Sequence, residues 1–93
     1  MSLLSLTTPH ELQTKLANAI RSKRENRKLS RQSLSERSTV PVSTLKRFES
    51  TGEISLRQFL LLWQTVDQLE RLEALTRDEP DMPRSIDEVL SNG

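Results

Sequence analysis

Cationic and hydroxyl side chains share one helical face in the middle of this chain. The stretch from Leu29 to Gly52, LSRQSLSERSTVPVSTLKRFESTG, contains two short amphipathic segments joined by a tight connector. With Leu45 and Phe48 inward, the second segment turns outward Val42, Ser43, Thr44, Lys46, Arg47 and Ser50. Hydroxyl, lysine and arginine side chains on a short helix suit the base edges and phosphates of a DNA major groove. The pattern therefore predicts DNA binding.

The charge of the chain is segregated, although the formal net charge is only +1. Residues 21–47 contain nine cations against two anions, whereas residues 67–93 contain three cations against eight anions. A basic region of this kind favours a polyanionic partner. The predicted phosphate contacts are Arg21, Lys23, Arg27, Lys28 and Arg31, and the predicted DNA-binding surface also includes Gln32. Two solvated faces without a partner are the alternative interpretation.

Length and composition exclude several classes of protein. At 93 residues and 33% hydrophobic content, the chain can build one small core. It has no cysteine and one histidine, so thiolate metal sites and disulfides are excluded. The longest apolar run, Phe59 to Trp63, is too short to span a bilayer, and the N-terminus does not resemble a signal peptide. We expect a cytoplasmic protein, and no enzyme motif, cofactor or metal cluster is found in the sequence.

Start signals and apolar spacing predict the helices that position the basic region. Thr8 and Pro9 begin the first helix, which runs to about Arg27 with a core stripe of Leu12, Leu16, Ala19 and Ile20. The second and third helices cover roughly 31–38, with Leu34 and Ser38 inward, and 41–49, before Gly52.

Two more helices are predicted towards the acidic end. Ser55 caps a fourth helix from Leu56 to about Val66, and a fifth follows Asp67. The apolar face of the fourth helix is formed by Leu56, Phe59, Leu60, Trp63 and Val66, and that of the fifth by Leu69, Leu72 and Leu75. This apolar surface exceeds what one small core needs. It predicts a dimer or partner contact through Leu60, Leu61, Leu62, Leu69 and Leu72.

The C-terminal stretch PRSIDEVL predicts one further short helix, at about 86–91. Ser85 and Glu88 fit a capping box, and Ile86, Val89 and Leu90 would share one face. So short a helix is not stable alone. It would have to fold back on the domain, cover a dimer mate or dock on another protein, and these three residues are the predicted dimer or partner contact.

The order of these elements resembles the Xre/Cro/phage-repressor class of helix-turn-helix proteins over about residues 12–75. Leu29 and Ser30 before the motif and Ser35 at its fifth helical position match that class, whereas Thr39 stands where the class usually has glycine. The resemblance implies an ion pair between Arg24 and Glu49. It also implies an all-α, compact five-helix bundle of the lambda-repressor-like type, with flexible N- and C-terminal tails.

The domain prediction is an N-terminal arm over 1–7, a DNA-binding and dimerisation domain over 8–76, and an acidic tail over 77–93. Small regulators with such a tail resemble the HipB-like antitoxins, which repress their own operon and bind a HipA-type kinase toxin. The resemblance implies a bacterial repressor that binds an inverted-repeat operator in double-stranded DNA as a homodimer and binds such a toxin. A stand-alone or phage-type repressor, and a protein-interaction adaptor with the same fold, remain alternatives.

Overall fold

The computed structural model describes residues 7–78, and these form five helices and no strand. The helices are α1 (Pro9–Asn26), α2 (Arg31–Ser38), α3 (Val42–Thr51), α4 (Leu56–Val66) and α5 (Leu69–Glu73), and a 3₁₀ turn covers Ala74–Thr76. The predicted all-α class is confirmed for these residues. The predicted arm, apart from residue 7, and the predicted helix at 86–91 lie outside them.

Side-chain caps set the starts of three helices. The hydroxyls of Thr8, Ser30 and Ser55 accept hydrogen bonds from backbone N–H groups three residues on, at 3.0 to 3.1 Å. Pro41 occupies the cap position of α3 and provides no such bond, and because its backbone is extended, α3 begins at Val42, one residue later than predicted.

Gly52 ends α3 in a conformation that other residues rarely adopt. Its φ is +81°, and a Cβ there would lie 3.1 Å from the backbone and the Cβ of Gln13. The Gln13 side chain also donates a hydrogen bond to the Gly52 carbonyl. Both the left-handed backbone and the close approach of α1 therefore require glycine at this position.

The core lies where α1 and α2 pack against α3 and α4. Phe59 contacts Phe48 edge-on, with ring centroids 6.0 Å apart, and also contacts Trp63 at 5.9 Å. The buried apolar residues of this cluster are Ala17, Ile20, Leu34, Val40, Leu45, Phe48, Phe59, Leu62, Trp63 and Val66. No described helix is both long and apolar enough to cross a membrane.

Two predicted core positions are wrong. Leu12 is 48% exposed and Leu56 is 73% exposed. Both lie in the first turn of a helix, and their side chains stay outside the core cluster. In α1, Ala17 is buried instead, because α3 and α4 approach closely on that side.

Candidate nucleic-acid interface

The turn between α2 and α3 has the left-handed residue that a tight helix-turn-helix needs, although the residue is threonine. Thr39 has φ +69° and ψ +6°, and its N–H donates to the Ser35 carbonyl at 2.8 Å. Ser38, which is buried, accepts a hydrogen bond from the Val40 N–H at 3.1 Å. Val40 then fills the core beneath the turn. The turn is therefore closed with normal geometry, and Thr39 bears the backbone strain.

One face of α3 is open to solvent. Ser43, Lys46, Arg47 and Ser50 are exposed, whereas Val42 and Thr44 are half-buried. Leu45 and Phe48 on the other side are buried, as the spacing predicts. Since Pro41 gives no side-chain cap, the first-turn N–H groups of α3 also lack a side-chain acceptor.

The two cations of this face differ in their surroundings. Arg47 forms an exposed ion pair with Glu53, with Nη2 and Oε1 2.5 Å apart. Lys46 has no ion-pair partner within residues 7–78. Lys46 can therefore meet an anion without giving up an interaction, whereas one guanidinium nitrogen of Arg47 is already bound to a carboxylate.

The starts of α2 and α4 border the open face of α3. A depression of about 310 Å³ lies between Thr44 and Arg47 of α3 and Ser55 and Gln58 at the start of α4. Arg57 is exposed in the same first turn of α4. The sequence predicts only a cap at the start of α4 and does not place this turn beside α3. The sequence feature that could have indicated a polar surface here is the pair Arg57 and Gln58 after the Ser55 cap.

On the α2 side, Arg31 and Gln32 lie in the first turn. The Gln32 side chain is exposed and donates to Glu36 at 3.2 Å. Arg31 is half-buried and binds Glu49 of α3. The structure thus brings the start of α2 to the end of α3.

Glu49 joins three helices. Its carboxylate accepts hydrogen bonds from Arg24 of α1, through Nε at 2.9 Å and Nη2 at 3.2 Å, and from Arg31 Nε at 2.9 Å. Arg24 Nη1 also donates to the Leu29 carbonyl at 3.0 Å. The side chains of Glu49 and Arg24 are only 3% and 9% exposed. The ion pair implied by the resemblance is therefore present, and a second arginine joins it.

Arg27 and Lys23, two of the predicted phosphate contacts, each have a partner on another part of the fold, and their role towards DNA stays a prediction. Arg27 Nε donates to the Val66 carbonyl at 2.9 Å, and Lys23 Nζ binds Asp67 at 2.8 Å. Both partners are at the C-terminal end of α4, about 15 Å from its first turn at a rise of 1.5 Å per residue. Lys28, by contrast, is exposed in the loop before α2 and has φ +58°.

The C-terminal end of α4 is held by a polar cluster around Trp63. Asp67 binds Lys23 and Arg71, and both cations also lie over the Trp63 ring, at 5.4 and 5.8 Å from its centroid. The hydrogen bond from Lys23 and one from the Gln68 N–H lower the pKa of Asp67 to about 2. The indole N–H donates to the Gln68 carbonyl at 2.8 Å. This cluster fixes the joint between α4 and α5.

An apolar groove runs along α4 and α5, and we name it the α4–α5 groove. Two adjoining depressions of about 320 and 470 Å³ share Leu60 and Leu69. The groove is lined by Leu56, Arg57, Leu60, Leu61, Gln64, Leu69, Glu70, Leu72, Glu73 and Thr76.

Of the predicted dimer or partner residues, Leu60, Leu61, Leu69 and Leu72 line the groove and are half-buried. Leu62 is a correction, because its side chain is fully buried in the core and offers no surface. One face of α4 packs on α1 and α2, and Leu62 lies on that face. Ile86, Val89 and Leu90 lie outside the described residues.

Within residues 7–78, no group of three or more histidine, cysteine, aspartate or glutamate side chains could hold a metal ion. Comparison of the chain with protein-family models, with curated proteins and with solved structures gave no match.

Proposed function

We propose that this protein is a sequence-specific DNA-binding repressor that inserts α3 into the major groove. The observation that supports it is the open face of α3, which carries Lys46, Arg47 and small hydroxyls and is bordered by the starts of α2 and α4. A short helix of this kind reads base edges with its outward side chains, while neighbouring helix starts meet the phosphates.

The proposed DNA-binding surface consists of two sets of residues with different roles. Ser43, Thr44, Lys46 and Arg47 lie on α3 and would read bases. Arg31, Lys28 and Gln32 lie before or at the start of α2 and would bind the phosphate backbone of the DNA. The expected behaviour of each set on DNA differs, because phosphate contacts are shared by all sequences and base contacts are not.

The test is binding of the purified protein to DNA from the region upstream of its own gene, measured by fluorescence anisotropy over a range of salt concentrations. We expect the logarithm of the association constant to fall linearly with the logarithm of the salt concentration, and we call the gradient of this line the salt slope. Lys46→Ala should weaken binding to the selected site by about 1–3 kcal/mol and change binding to random DNA little. Lys15→Ala, which removes an exposed lysine from α1, is the matched control and should leave both affinities unchanged.

Two results would contradict this function. The first is the absence of salt-dependent binding to any fragment of the upstream region. The second is an equal loss of affinity in Lys46→Ala and Lys15→Ala, because net charge alone would then explain binding.

We propose further that the α4–α5 groove binds a second copy of the chain. Arg57 lies at one end of the groove, and Glu70 and Glu73 lie at the other. A two-fold axis reverses the direction of the groove in the partner, so the arginine of one copy would face the carboxylates of the other. Two α3 helices related in this way read half-sites about 34 Å apart in an inverted repeat.

Sedimentation velocity tests the dimer. We expect a dimer for the wild type and a monomer for Leu69→Asp, since Leu69 lines both parts of the groove and is only half-buried. Leu12→Asp is the control, because Leu12 is exposed on α1 and does not line the groove. A monomeric wild type at tens of micromolar, with and without DNA, would refute this part.

The same groove also supports the alternative of a protein-interaction adaptor. Such an adaptor would bind a partner through α4 and α5 and show no binding to its promoter, so the salt titration separates the two functions. The narrower role of antitoxin to a HipA-like kinase stays a prediction, since the helix at 86–91 predicted to contact a partner lies outside the described residues.

A further inference from the structure

We propose that Glu49 is a positioning residue for DNA binding: it holds the Arg31 guanidinium so that the unused edge of that group binds one backbone phosphate. This inference rests on the proposed DNA-binding function. It gives Glu49 a role beyond the ion pair with Arg24 that the resemblance implies.

The two arginines on Glu49 are not equivalent. Arg24 uses all three guanidinium nitrogens, two on Glu49 and one on the Leu29 carbonyl, and its side chain is 9% exposed. Arg31 donates only through Nε to Glu49, and its side chain is 39% exposed. Among residues 7–78, neither Nη1 nor Nη2 of Arg31 has a hydrogen-bond partner. Arg31 is therefore the member of the cluster that can meet a ligand.

The charge of the cluster also favours an anion at Arg31. Two guanidinium groups share one carboxylate, which leaves one positive charge uncompensated. Glu49 Oε1 already accepts from both arginines. Glu36, the acidic residue of α2, accepts from Gln32 instead. The excess charge is exposed on the Arg31 side, because Arg24 is buried.

The geometry of a guanidinium allows both contacts at once. A carboxylate that binds at Nε leaves the edge formed by Nη1 and Nη2 open, and this edge matches two oxygens of a phosphate. Holding Nε in place also removes much of the rotamer freedom that a phosphate contact would otherwise restrict. A lysine ammonium has no second edge of this kind.

The position of Arg31 fits a phosphate next to the base-reading face. Glu49 lies three residues after Lys46 on α3, so the two side chains are neighbours on the helix surface. Arg31 on Glu49 therefore extends the cationic surface of α3 towards α2, on the opposite side from the depression between α3 and α4.

The experiment measures affinity for the selected DNA against salt concentration for the wild type and five variants. They are Arg31→Ala, Arg31→Lys, Glu49→Gln, the double variant Arg31→Ala/Glu49→Gln, and the control Arg37→Ala. Arg37 is an exposed arginine at the other end of α2 and has no ion-pair partner within residues 7–78.

We expect Arg31→Ala to weaken binding about tenfold and to lower the salt slope by about one, and Arg37→Ala to do neither. Arg31→Lys should keep the slope but lose affinity several-fold. In the Glu49→Gln background, Arg31→Ala should cost less than in the wild type, because the arginine is no longer held in position.

The proposal is overturned if Arg31→Lys binds like the wild type, since a guanidinium with a second free edge is then not needed. It is also overturned if the effects of Arg31→Ala and Glu49→Gln simply add. Should Glu49→Gln fail to fold, Glu49→Asp, which keeps the charge but shortens the reach of the carboxylate towards Arg31, replaces it in the same double-variant comparison. A wild type that binds no DNA overturns the proposed function and this inference together, whereas the other outcomes overturn only the inference.

Discussion

Replacing Glu49 by alanine should destabilise the fold, and the structure sets the size of the effect. The substitution removes a carboxylate that is 3% exposed and that accepts three hydrogen bonds from two arginines. Arg24 is then left as a buried cation without its counterion, which typically costs about 3–5 kcal/mol. Arg31 adds little, because its half-exposed side chain can regain hydration. Since small domains are stable by roughly 5–15 kcal/mol, the variant should lose a large fraction of its free energy of unfolding and should melt at a clearly lower urea concentration than the wild type.

A urea melt followed by tryptophan fluorescence measures this loss. Trp63 is the only tryptophan and is 7% exposed, so its emission reports on the core. The informative comparison is the double variant Arg24→Leu/Glu49→Leu, which removes both charges and fills the space with apolar groups. It should recover most of the lost stability, short of about 1 kcal/mol for the hydrogen bond to the Leu29 carbonyl.

The two melts can also refute the reasoning. If Glu49→Ala unfolds at the urea concentration of the wild type, the cluster contributes nothing to stability. If the double variant is no more stable than Glu49→Ala, the loss does not come from an unpaired Arg24, and a packing defect at position 49 must be considered instead.

Three further stability predictions follow from the turn, the α4–α5 joint and the core. Thr39→Gly should raise the melting temperature by several degrees, since relief of about 1–2 kcal/mol of left-handed strain exceeds the entropy cost of glycine. Asp67→Asn should lower the urea midpoint at neutral pH. The hydrogen bond from Lys23 lowers the pKa of Asp67 from 3.8 to about 2 in the folded state. The difference in urea midpoint between the variant and the wild type should therefore shrink as the pH falls from about 4 to about 2. Leu62→Ala should cost about 2–5 kcal/mol in a urea melt and Leu61→Ala much less, and equal losses would contradict the placement of Leu62 in the core and Leu61 at the surface.

The helix boundaries were predictable because local chemistry determines them. Thr8, Ser30 and Ser55 each cap the helix that the sequence assigned to them, and Gly52 ends α3 as expected. A capping hydroxyl and a left-handed glycine act within three or four residues, so no tertiary information is needed.

The burial of particular side chains was less predictable, since it depends on which helices cross where. Leu12 and Leu56 satisfy the apolar spacing, yet both side chains are exposed. Val40 lies in a connector without periodicity, yet it is fully buried beneath the turn. Leu62 was indistinguishable from Leu61 in an apolar run, and the packing of α1 and α2 against α4 separates the two.

The exposure of Lys46 and Arg47 on one face of α3 was predictable from spacing, but the partners of the individual cations were not. The sequence does not show whether a cationic side chain faces solvent or binds another residue of the same chain. In the fold, Arg27 binds the Val66 carbonyl, Arg47 binds Glu53, and Lys46 has no such partner in the described part of the chain. The distinction depends on contacts between residues 6 to 39 positions apart, which spacing rules do not reach.

The Glu49 cluster connects the stability of the fold with the shape of its candidate DNA surface. It joins the end of α1 through Arg24 and the start of α2 through Arg31 to the same carboxylate on α3. The position of α2 relative to α3 fixes where the proposed phosphate contacts lie relative to the proposed base-reading face of α3. Because one buried charge holds both helices to α3, a change at Glu49 should alter folding stability and the alignment of the two DNA-contacting sets together. A change at Arg31 should alter DNA binding with little effect on stability, and this difference separates the two roles of the cluster.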